Sequence, residues 1–372
     1  MTWNWENPDW PKFTWDHSRL QTAEEQFLLG AGVLIGTFRH MGEDEQSRLV
    51  VEAMSGEALT TSEIEGEILN RASVQWSIQR QLGLVADQRR VTPAEQGVAE
   101  MMVDLYRTFS EPLTDQLLFR WHSMVTGGRG DLVDVGRYRT GREPMQVVSG
   151  RIGAQRVHFE APPSERVHQE MKRFVAWFNR TEPGATEPLP AITRAGLAHL
   201  YFETIHPFED GNGRIGRAIA EKAMAQSAGR PLLVALSATV LTHRKAYYDA
   251  LERANKQMDA TLWLTWFAEV ALEAQRRTGS QAEFLIAKTK LLERLSGQVN
   301  QRQLKALLRM FNEGPSGFKG GLSAGNYSTI TGASPATTTR DLADLTEKGA
   351  LVRTGERRHA RYTLNLPESQ AT

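Results

Sequence analysis

The chain has 372 residues, enough for two or three domains, and its 44 basic and 44 acidic side chains give a formal net charge of zero. No global field therefore attracts it to nucleic acid or to a membrane. The absence of cysteine excludes disulfides, thiolate metal sites and thiol nucleophiles, and is typical of a reducing compartment. The first residues do not resemble a secretory signal, and the longest apolar stretch is too short for a membrane span. We therefore expect a cytoplasmic globular protein.

Residues 1–96 are expected to form an N-terminal helical region. Four tryptophans open it among prolines, a pattern that predicts an irregular strap held by aromatic burial; they are Trp3, Trp5, Trp10 and Trp15. From about Gln21 to Arg71 apolar residues recur near helical spacing, which predicts helices. The polar stretch "ADQRRVTPAEQ" separates this region from the next.

Residues 97–280 are expected to form a second domain that is mainly helical. Helices are predicted over residues 97–126, up to the glycine pair in "TGGRG", and again from Ser164 to about Gln275. Between them, "MQVV" and "RVHF" read as two short strands joined by a glycine-rich turn. The sequence thus predicts a helical core with one β-hairpin.

Residues 281–372 are expected to form a C-terminal winged helix-turn-helix domain. "QRQLKALLRMFNEG" predicts an amphipathic helix, and "SAGNYSTITG" a short second helix. The third helix should begin with Ser334 as N-cap and Pro335 at its first position. "ALVRTGERRHARYTLN" then reads strand, turn, strand, which completes the order of a winged helix.

The stretch "HPFEDGNGRIGR", residues 206–217, carries the densest group of functional side chains. Pro207 should end the apolar helix "AITRAGLAHLYFETI", since a residue before proline is displaced from the α region. A new helix restarts at "GRIGRAIAEKAMA", which places the Gly-Asn-Gly triplet at a helix N-terminus. Unpaired N–H groups and the helix dipole make such a terminus an anion site, and glycines let the backbone wrap around phosphate oxygens.

Charged side chains around the triplet indicate phosphate chemistry. Arg214 and Arg217 are three residues apart and share a helix face, so both can reach the same polyanion. Asp210 could hold Mg²⁺, which prefers few carboxylates together with phosphate oxygens. His206 is placed to accept a proton from an attacking hydroxyl. Together these residues predict phosphoryl or nucleotidyl transfer.

The pattern His-Pro-Phe-x-Asp-Gly-Asn-Gly-Arg-x-x-Arg resembles the signature of Fic-domain proteins at every motif position. Most of these proteins transfer AMP from ATP to a Ser, Thr or Tyr hydroxyl of a protein and release pyrophosphate. The resemblance implies a mainly α Fic fold with ATP as substrate, Mg²⁺ as cofactor and a protein as partner. It implies the following roles: His206 as base, Asp210 as Mg²⁺ ligand, Gly211, Asn212 and Gly213 as the anion hole, Arg214 on the outer phosphates, Arg217 on the γ-phosphate and Phe208 as loop anchor. It assigns nothing to Glu209.

Two further stretches are similar to parts of this family. The hairpin from Val147 to Phe159 matches the family's flap, a β-edge that receives the target segment by main-chain pairing. "HRKAYYDAL" resembles the helix that lines the adenine pocket and makes Tyr247 and Tyr248 candidates for nucleotide binding. As the alternative, these two tyrosines are aromatic residues of the core.

Upstream, "TTSEIEGE" matches the family's inhibitory pattern Ser/Thr-x-x-x-Glu-Gly/Asn through Thr61, Glu65 and Gly66. Ordinary capping boxes are the competing interpretation, with Ser62 paired to Glu65 and Thr60 to Glu63. The resemblance favours an inhibitory Glu65 that pairs with Arg217 at the position of the γ-phosphate. We then expect low activity at rest, because a partly buried Arg–carboxylate pair leaves no donor for phosphate.

Several alternatives stay open at this point. Glu65 could instead position a water that removes AMP from a modified protein. DNA binding is a second alternative, because the predicted wing and recognition helix carry five arginines: Arg340, Arg353, Arg357, Arg358 and Arg361. Hydroxyls in "SPATTTR" and "NYSTITG" allow self-modification, although helix capping explains them equally well. A homodimer is compatible with the sequence, and no membrane partner is expected.

Overall fold

The computed structural model describes residues 2–87, 89–149, 156–232, 234–314, 317–318 and 320–366. The chain divides into two compact units, one of residues Met1–Gly36 with Val50–Thr278 and one of Thr37–Leu49 with Gly279–Thr372. The expected division into domains 1–96, 97–280 and 281–372 stays a prediction. Among the described residues, we find no helix whose length and apolar content would let it cross a lipid bilayer.

Helices dominate the described chain, as predicted. Up to residue 294 they are α1 Gln21–Arg39, α2 Glu43–Ile64, α3 Arg71–Gln81, α4 Pro93–Thr108, α5 Asp115–Val125, α6 Ser164–Arg180, α7 Ala191–Ile205, α8 Asn212–Ala228, α9 Leu236–Thr242, α10 Arg244–Ala254 and α11 Thr261–Arg294. The prediction that the helices stop near Gln275 is wrong, because α11 continues through Gly279. Buried residues such as Phe284 and Leu291 maintain the helical period there, and a single glycine is insufficient to end the helix.

The centre of the first unit is α7, in which every residue is buried. A helix that is apolar nearly all round belongs in a core, and α7 packs along α8. Its N-terminus is capped from α1, since the Glu24 carboxylate accepts hydrogen bonds from the backbone N–H groups of Ile192 (2.9 Å) and Thr193 (2.7 Å). The N-terminal region thereby fixes the helix that ends at the candidate site.

The predicted hairpin is present as β1 Gln146–Ser149 and β2 Arg156–Glu160, paired antiparallel with Val147 opposite Phe159. The glycine-rich turn between the strands lies outside the described residues. The N-terminal strap holds β2, because the Trp5 indole donates to the Glu160 carbonyl at 2.7 Å and the Trp3 ring lies edge-on to Phe159. Aromatic burial of the strap, as predicted, thus reaches the hairpin.

The second unit contains α12 Gln301–Phe311, α13 Ala324–Thr331, α14 Pro335–Glu347, β3 Leu351–Thr354 and β4 Arg361–Leu364. Ser334 caps α14 with Pro335 at its first position, as predicted. The strands β3 and β4 pair antiparallel, and Leu322 forms a further bridge to Tyr362. This order of elements is the one expected from the sequence, and the winged-helix assignment itself stays a prediction.

Candidate functional site

His206 lies at the C-terminal end of α7, where its backbone adopts the left-handed conformation with φ of 49°. A non-glycine residue is rarely held there, so the surrounding contacts must enforce it. The buried Arg139 does so, since its Nε donates to the His206 carbonyl at 2.8 Å and its backbone N–H donates to the Pro207 carbonyl at 2.9 Å. The loop after α7 is therefore a rigid turn that presents the imidazole.

Phe208 anchors this loop, as expected from its motif position. Its ring is fully buried and stacks on His122 of α5, with ring centroids 4.2 Å apart. The Asn212 side chain closes the loop, because Oδ1 accepts from the Phe208 N–H (3.0 Å) and Nδ2 donates to the Phe208 carbonyl (2.9 Å). Only the backbone of Asn212 is therefore left to contact an anion.

The N-terminus of α8 has the geometry of an anion site. Gly211 is its N-cap at φ 79°, a conformation that favours glycine. Among the described residues, the backbone N–H groups of Asn212, Gly213 and Arg214 have no hydrogen-bond acceptor. Three such donors at the positive end of a helix dipole attract phosphate or carboxylate oxygens.

Asp210 lies beside this terminus with its carboxylate one-third exposed. Oδ1 accepts from the Gly211 N–H, and Oδ2 forms a 2.6 Å ion pair with Arg129, which also binds Asp131. Within the described ranges, no three His, Asp or Glu side chains converge as a metal cage. A single carboxylate still fits Mg²⁺ chemistry, because Mg²⁺ bound to nucleotides takes most of its ligands from phosphates and water. The Arg129 pair must open before Asp210 can serve this way.

Arg217 is held by the segment that carries the predicted inhibitory pattern. Its Nη2 lies 2.7 Å from Glu65 Oε1 and 2.9 Å from the Thr61 carbonyl, and its Nε donates to the Thr61 hydroxyl at 2.8 Å. The arginine side chain is only 2% exposed. Glu65 also lies over the helix terminus, since a Cβ on Gly213 would come within 2.2 Å of its Oε1. The carboxylate thus occupies the space next to the anion site.

Arg214 is held by a second carboxylate of the same segment. Its Nη1 lies 2.9 Å from Glu67 Oε2, and its side chain is 6% exposed. The end of α2 explains why both glutamates reach α8. The Gly66 N–H bonds to the Glu63 carbonyl and the Glu67 N–H to the Ser62 carbonyl, which is the Schellman arrangement with Gly66 at φ 86°.

The capping-box interpretation of "TTSEIEGE" is wrong, because these residues lie at the C-terminal end of α2 and not at a helix start. The Thr60 hydroxyl donates to the Gly56 carbonyl inside the helix, and the buried Ser62 hydroxyl has no partner among the described residues. Glycine in the pattern has a physical reason, since the residue after Glu65 must adopt the left-handed conformation.

The two candidate tyrosines of α10 differ in environment. Tyr247 is buried beside Trp263 and Trp266, and its hydroxyl lies 2.8 Å from His199 Nε2. Tyr248 is 40% exposed, and its hydroxyl donates to the Ile64 carbonyl at 3.4 Å. The structure therefore brings Tyr248 close to the end of α2, while Tyr247 belongs to an aromatic cluster. A nucleotide-binding role for either residue stays a prediction.

Burial governs the protonation states at the site. It lowers the pKa of His206 to about 4, with Arg139 acting in the same direction, so the imidazole is neutral near pH 7. Burial also raises the pKa of Glu203 to about 8, assisted by the charge of Glu65 and opposed by Arg217. Desolvation lowers the pKa of Arg217, but the charge and hydrogen bond of Glu65 together with the charges of Tyr247 and Glu203 raise it by more, so this pKa lies above its usual range. A neutral imidazole can accept a proton, as a general base requires.

Sequence reasoning did not find four residues that shape this site: Arg129, Glu67, His122 and Glu203. Arg129 and Glu67 are polar positions whose partners lie 81 and 147 residues away, so spacing gives no signal. Glu209 was assigned no role, and its carboxylate accepts the N–H groups of Val133 and Asp134. The one available signal was Glu203, an acidic residue one turn before His206 in a mostly apolar helix.

Comparison with protein-family models gives two matches. Residues 112–224 match a model described as Fic/DOC family, and this span includes the hairpin, the loop after α7 and most of α8. Residues 3–84 match a model described as a domain of unknown function, DUF4172, and this span includes Glu65 and Glu67.

Curated relatives agree with the first match. The protein adenylyltransferase fic-1 of Caenorhabditis elegans is 33% identical over 128 residues, covering 34% of this chain and 22% of the relative. The protein adenylyltransferase Fic of Nematostella vectensis is 28% identical over 146 residues, covering 39% of this chain and 30% of the relative. The chain thus spans less than a third of the length of these two relatives.

Solved structures share the fold. A Fic family protein from Desulfovibrio desulfuricans G20 superposes with a TM-score of 0.53 at 24% identity, over 95% of this chain and 98% of that one. A Fic domain containing signaling protein from Bacteroides thetaiotaomicron VPI-5482 gives a TM-score of 0.52 at 17% identity, over 68% and 97%. The expected helical fold with a β-hairpin is confirmed.

Proposed function

We propose that this chain is a protein adenylyltransferase that is held inactive at rest. The premise of this proposal is that the chain carries a domain of the Fic/DOC family. Its substrates would be ATP and a Ser, Thr or Tyr hydroxyl of a protein, and its products AMP-modified protein and pyrophosphate. The names of the curated relatives support this class of reaction.

The observation that carries the proposal is the convergence of four elements on one helix terminus. A neutral imidazole, a carboxylate, three free backbone N–H donors and two nearly buried arginines lie within residues 206–217. An isolated anion site would need neither the histidine nor the strained backbone that presents it. Nucleotidyl transfer uses all of them, since positioning and charge neutralisation supply most of its catalysis.

In the proposed step, the target hydroxyl oxygen attacks the α-phosphorus of ATP. A new O–P bond forms, and the bond between the α-phosphorus and the bridging oxygen breaks, with its electron pair leaving on pyrophosphate. His206 takes the hydroxyl proton, and the free N–H groups of α8 would hold the phosphate oxygens on which charge accumulates. Asp210 would hold Mg²⁺, which when bound would neutralise charge on the phosphates.

The target segment would approach along the hairpin. Val147, Val148 and Val157 expose apolar side chains there, and a two-stranded hairpin retains unpaired backbone groups along its edges. Main-chain pairing to such an edge would align an extended target segment without strict demands on its sequence. This agrees with the flap role implied by the family resemblance.

The resting state is proposed to be autoinhibited through both motif arginines. Glu65 takes the Nη2 donor of Arg217, Thr61 takes its Nε, and Nη1 has no partner among the described residues. Glu67 takes an Arg214 donor that an outer phosphate would need. Both carboxylates sit on the Schellman turn after α2, so a movement of this one turn would release both arginines. Glu67 is a second competing carboxylate beyond the predicted inhibitory pattern.

The test uses purified protein and ATP labelled on either the α- or the γ-phosphate. The proposal expects the Glu65→Gly variant to incorporate α-label into protein and to incorporate no γ-label, because pyrophosphate leaves. Incorporation of γ-label would indicate phosphorylation instead. If the variant incorporates neither label and the wild type, which keeps Glu65, instead releases AMP from a modified protein, the reverse function of AMP removal replaces the proposal.

A further inference from the structure

We propose that Glu203 is a positioning residue for His206, whose ionised carboxylate selects the reactive tautomer of the imidazole and stabilises the imidazolium. The inference rests on the proposed transferase function and assigns a role to a residue outside the 206–217 motif. Glu203 lies one turn before His206 on α7, with Oε2 3.8 Å from His206 Nδ1. The distance is longer than a hydrogen bond but close enough for an electrostatic interaction, and the two side chains are 11% and 17% exposed.

The space that Glu203 occupies is made by a glycine of the facing helix. A Cβ on Gly216 of α8 would come within 2.4 Å of Glu203 Oε1, so any larger residue there would expel the carboxyl. Gly216 lies between Arg214 and Arg217 in the motif, at a position to which the family resemblance assigns no role. Glycine at position 216 therefore leaves room for the Glu203 carboxyl beside His206.

A purely structural role does not account for Glu203. Its Oε1 is buried and has no hydrogen-bond partner among the described residues. Burying a carboxyl with an unsatisfied oxygen costs free energy, which raises its pKa to about 8. An apolar side chain at this buried position would avoid that cost. Such a cost is typical of functional sites.

The proposed role of His206 as a general base explains why a carboxylate would be placed next to it. To accept a proton on Nε2, the neutral imidazole must carry its hydrogen on Nδ1, the nitrogen that faces Glu203. An ionised carboxylate next to Nδ1 favours that tautomer and then stabilises the imidazolium after proton transfer. The proton balance is unchanged, since the hydroxyl proton moves to His206 and then to solvent while Glu203 stays ionised.

The titratable and charged groups around Glu203 determine the pH at which its carboxyl ionises. They are His199 and His206 on α7, Arg217 on α8, Tyr247 on α10, and Glu65 in the turn after α2. The charge of Glu65 opposes ionisation of Glu203, and Arg217 favours it. Withdrawal of Glu65 would therefore lower the pKa of Glu203 as well as free Arg217.

The test compares Glu65→Gly with Glu65→Gly/Glu203→Gln and Glu65→Gly/Glu203→Asp, measuring kcat and the KM for ATP from pH 6 to 9. For the parent variant, we expect kcat to rise with pH between about 6 and 8, as Glu203 ionises. The additional Glu203→Gln substitution should lower kcat about tenfold at pH 8 and remove the rise of kcat with pH. It should leave the KM for ATP within about twofold. A tenfold loss is a part of the rate enhancement of about 10²–10⁴ that general-base catalysis supplies. The Glu203→Asp substitution should retain part of the rise of kcat with pH.

The outcomes separate the inference from the proposed function. If the Gln variant keeps the parent's kcat and pH profile, Glu203 has no positioning role while the transferase function stands. If both substitutions raise the KM for ATP and leave the shape of the profile unchanged, Glu203 is structural. If the parent Glu65→Gly shows no transfer at any pH, the proposed function fails first. If the Glu203→Gln substitution prevents folding, the Glu203→Asp variant tests the inference. A rise of kcat with pH in that variant supports the positioning role, and its absence contradicts it.

Discussion

Arg217 Nη2 lies 2.7 Å from Glu65 Oε1, although 152 residues separate the two in the chain. The guanidinium is 2% exposed and the carboxylate 30%, so the pair is much less screened than a surface salt bridge. Because Glu65 also lies over Gly213 at the start of α8, one carboxylate covers a cationic side chain and a set of backbone donors together. The Arg217 charge is thus paired with a carboxylate of the same chain.

Glu67 should add a smaller, separable part of the inhibition. Its side chain is 37% exposed, and partly exposed ion pairs contribute about 0.2–1 kcal/mol, so Glu67→Gln in the Glu65→Gly background should lower the KM for ATP about 1.4- to 5-fold. The kcat should stay constant, because ground-state competition for Arg214 is what changes. Steady-state kinetics at two salt concentrations checks this. An unchanged KM at low salt would show that the Arg214 contact does not compete with ATP.

Gly66→Ala should raise basal transfer by loosening the turn that carries both glutamates. Gly66 has φ of 86°, and no heavy atom lies within 4 Å of an added Cβ, so the effect is confined to the backbone. An L-residue in the left-handed conformation costs about 1–2 kcal/mol. Gly56→Ala within α2 is the matched control. No heavy atom lies within 4 Å of a Cβ added at Gly56 either, but Gly56 has a helical backbone conformation that alanine also adopts. Equal basal rates for both variants would argue against the turn as the inhibitory element.

His206→Ala in the Glu65→Gly background should reduce transfer about 10²- to 10⁴-fold, the usual contribution of a positioned general base. The KM for ATP should change little, because the imidazole does not contact the phosphates in the proposed step. Equilibrium binding of a non-hydrolysable ATP analogue separates the two effects. Transfer near the parental rate would remove His206 from its assigned role.

The pH dependence of stability should reveal the buried Glu203 independently of activity. Its folded pKa of about 8 lies above the usual glutamate pKa of 4.5, so the folded protein binds more protons than the unfolded chain between these pH values. Its contribution to stability is complete below about pH 4.5 and is lost as pH rises through 8. Glu203→Gln should therefore raise Tm more at pH 8 than at pH 5. An equal shift at both values would mean that Glu203 is ionised in the fold.

Much of the site could be predicted because it is local in sequence. Pro207 ends a helix, Gly211 begins the next, and the spacing of Arg214 and Arg217 fixes a shared face, all within one turn and its flanks. The pairing of Glu65 with Arg217 was expected from the family resemblance, and the structure supplies its reason in the Schellman turn.

Long-range pairings could not be predicted in the same way. Arg129 reaches Asp210 and Glu67 reaches Arg214 only because separate elements meet in the fold. The Asn212 side chain is a different case, since its motif position suggested ligand contact while its amide closes the loop onto Phe208. The extent of α11 was missed, because the helices were expected to stop near Gln275 while buried residues beyond Gly279 continue the helix to Arg294.

The central claim, that Glu65 blocks an otherwise competent transferase, is tested most directly by the initial rate of α-labelled AMP incorporation in wild type, Glu65→Gly and Glu63→Ala. Glu63 is an exposed residue in the last turn of α2, and Glu63→Ala removes a neighbouring carboxylate while it preserves the helical backbone and the Arg217 contact. Loss of a charged hydrogen bond of about 1.5–3 kcal/mol predicts at least about a tenfold rise for Glu65→Gly alone. Equal rates in all three proteins, or an equal rise in both variants, would contradict the claim.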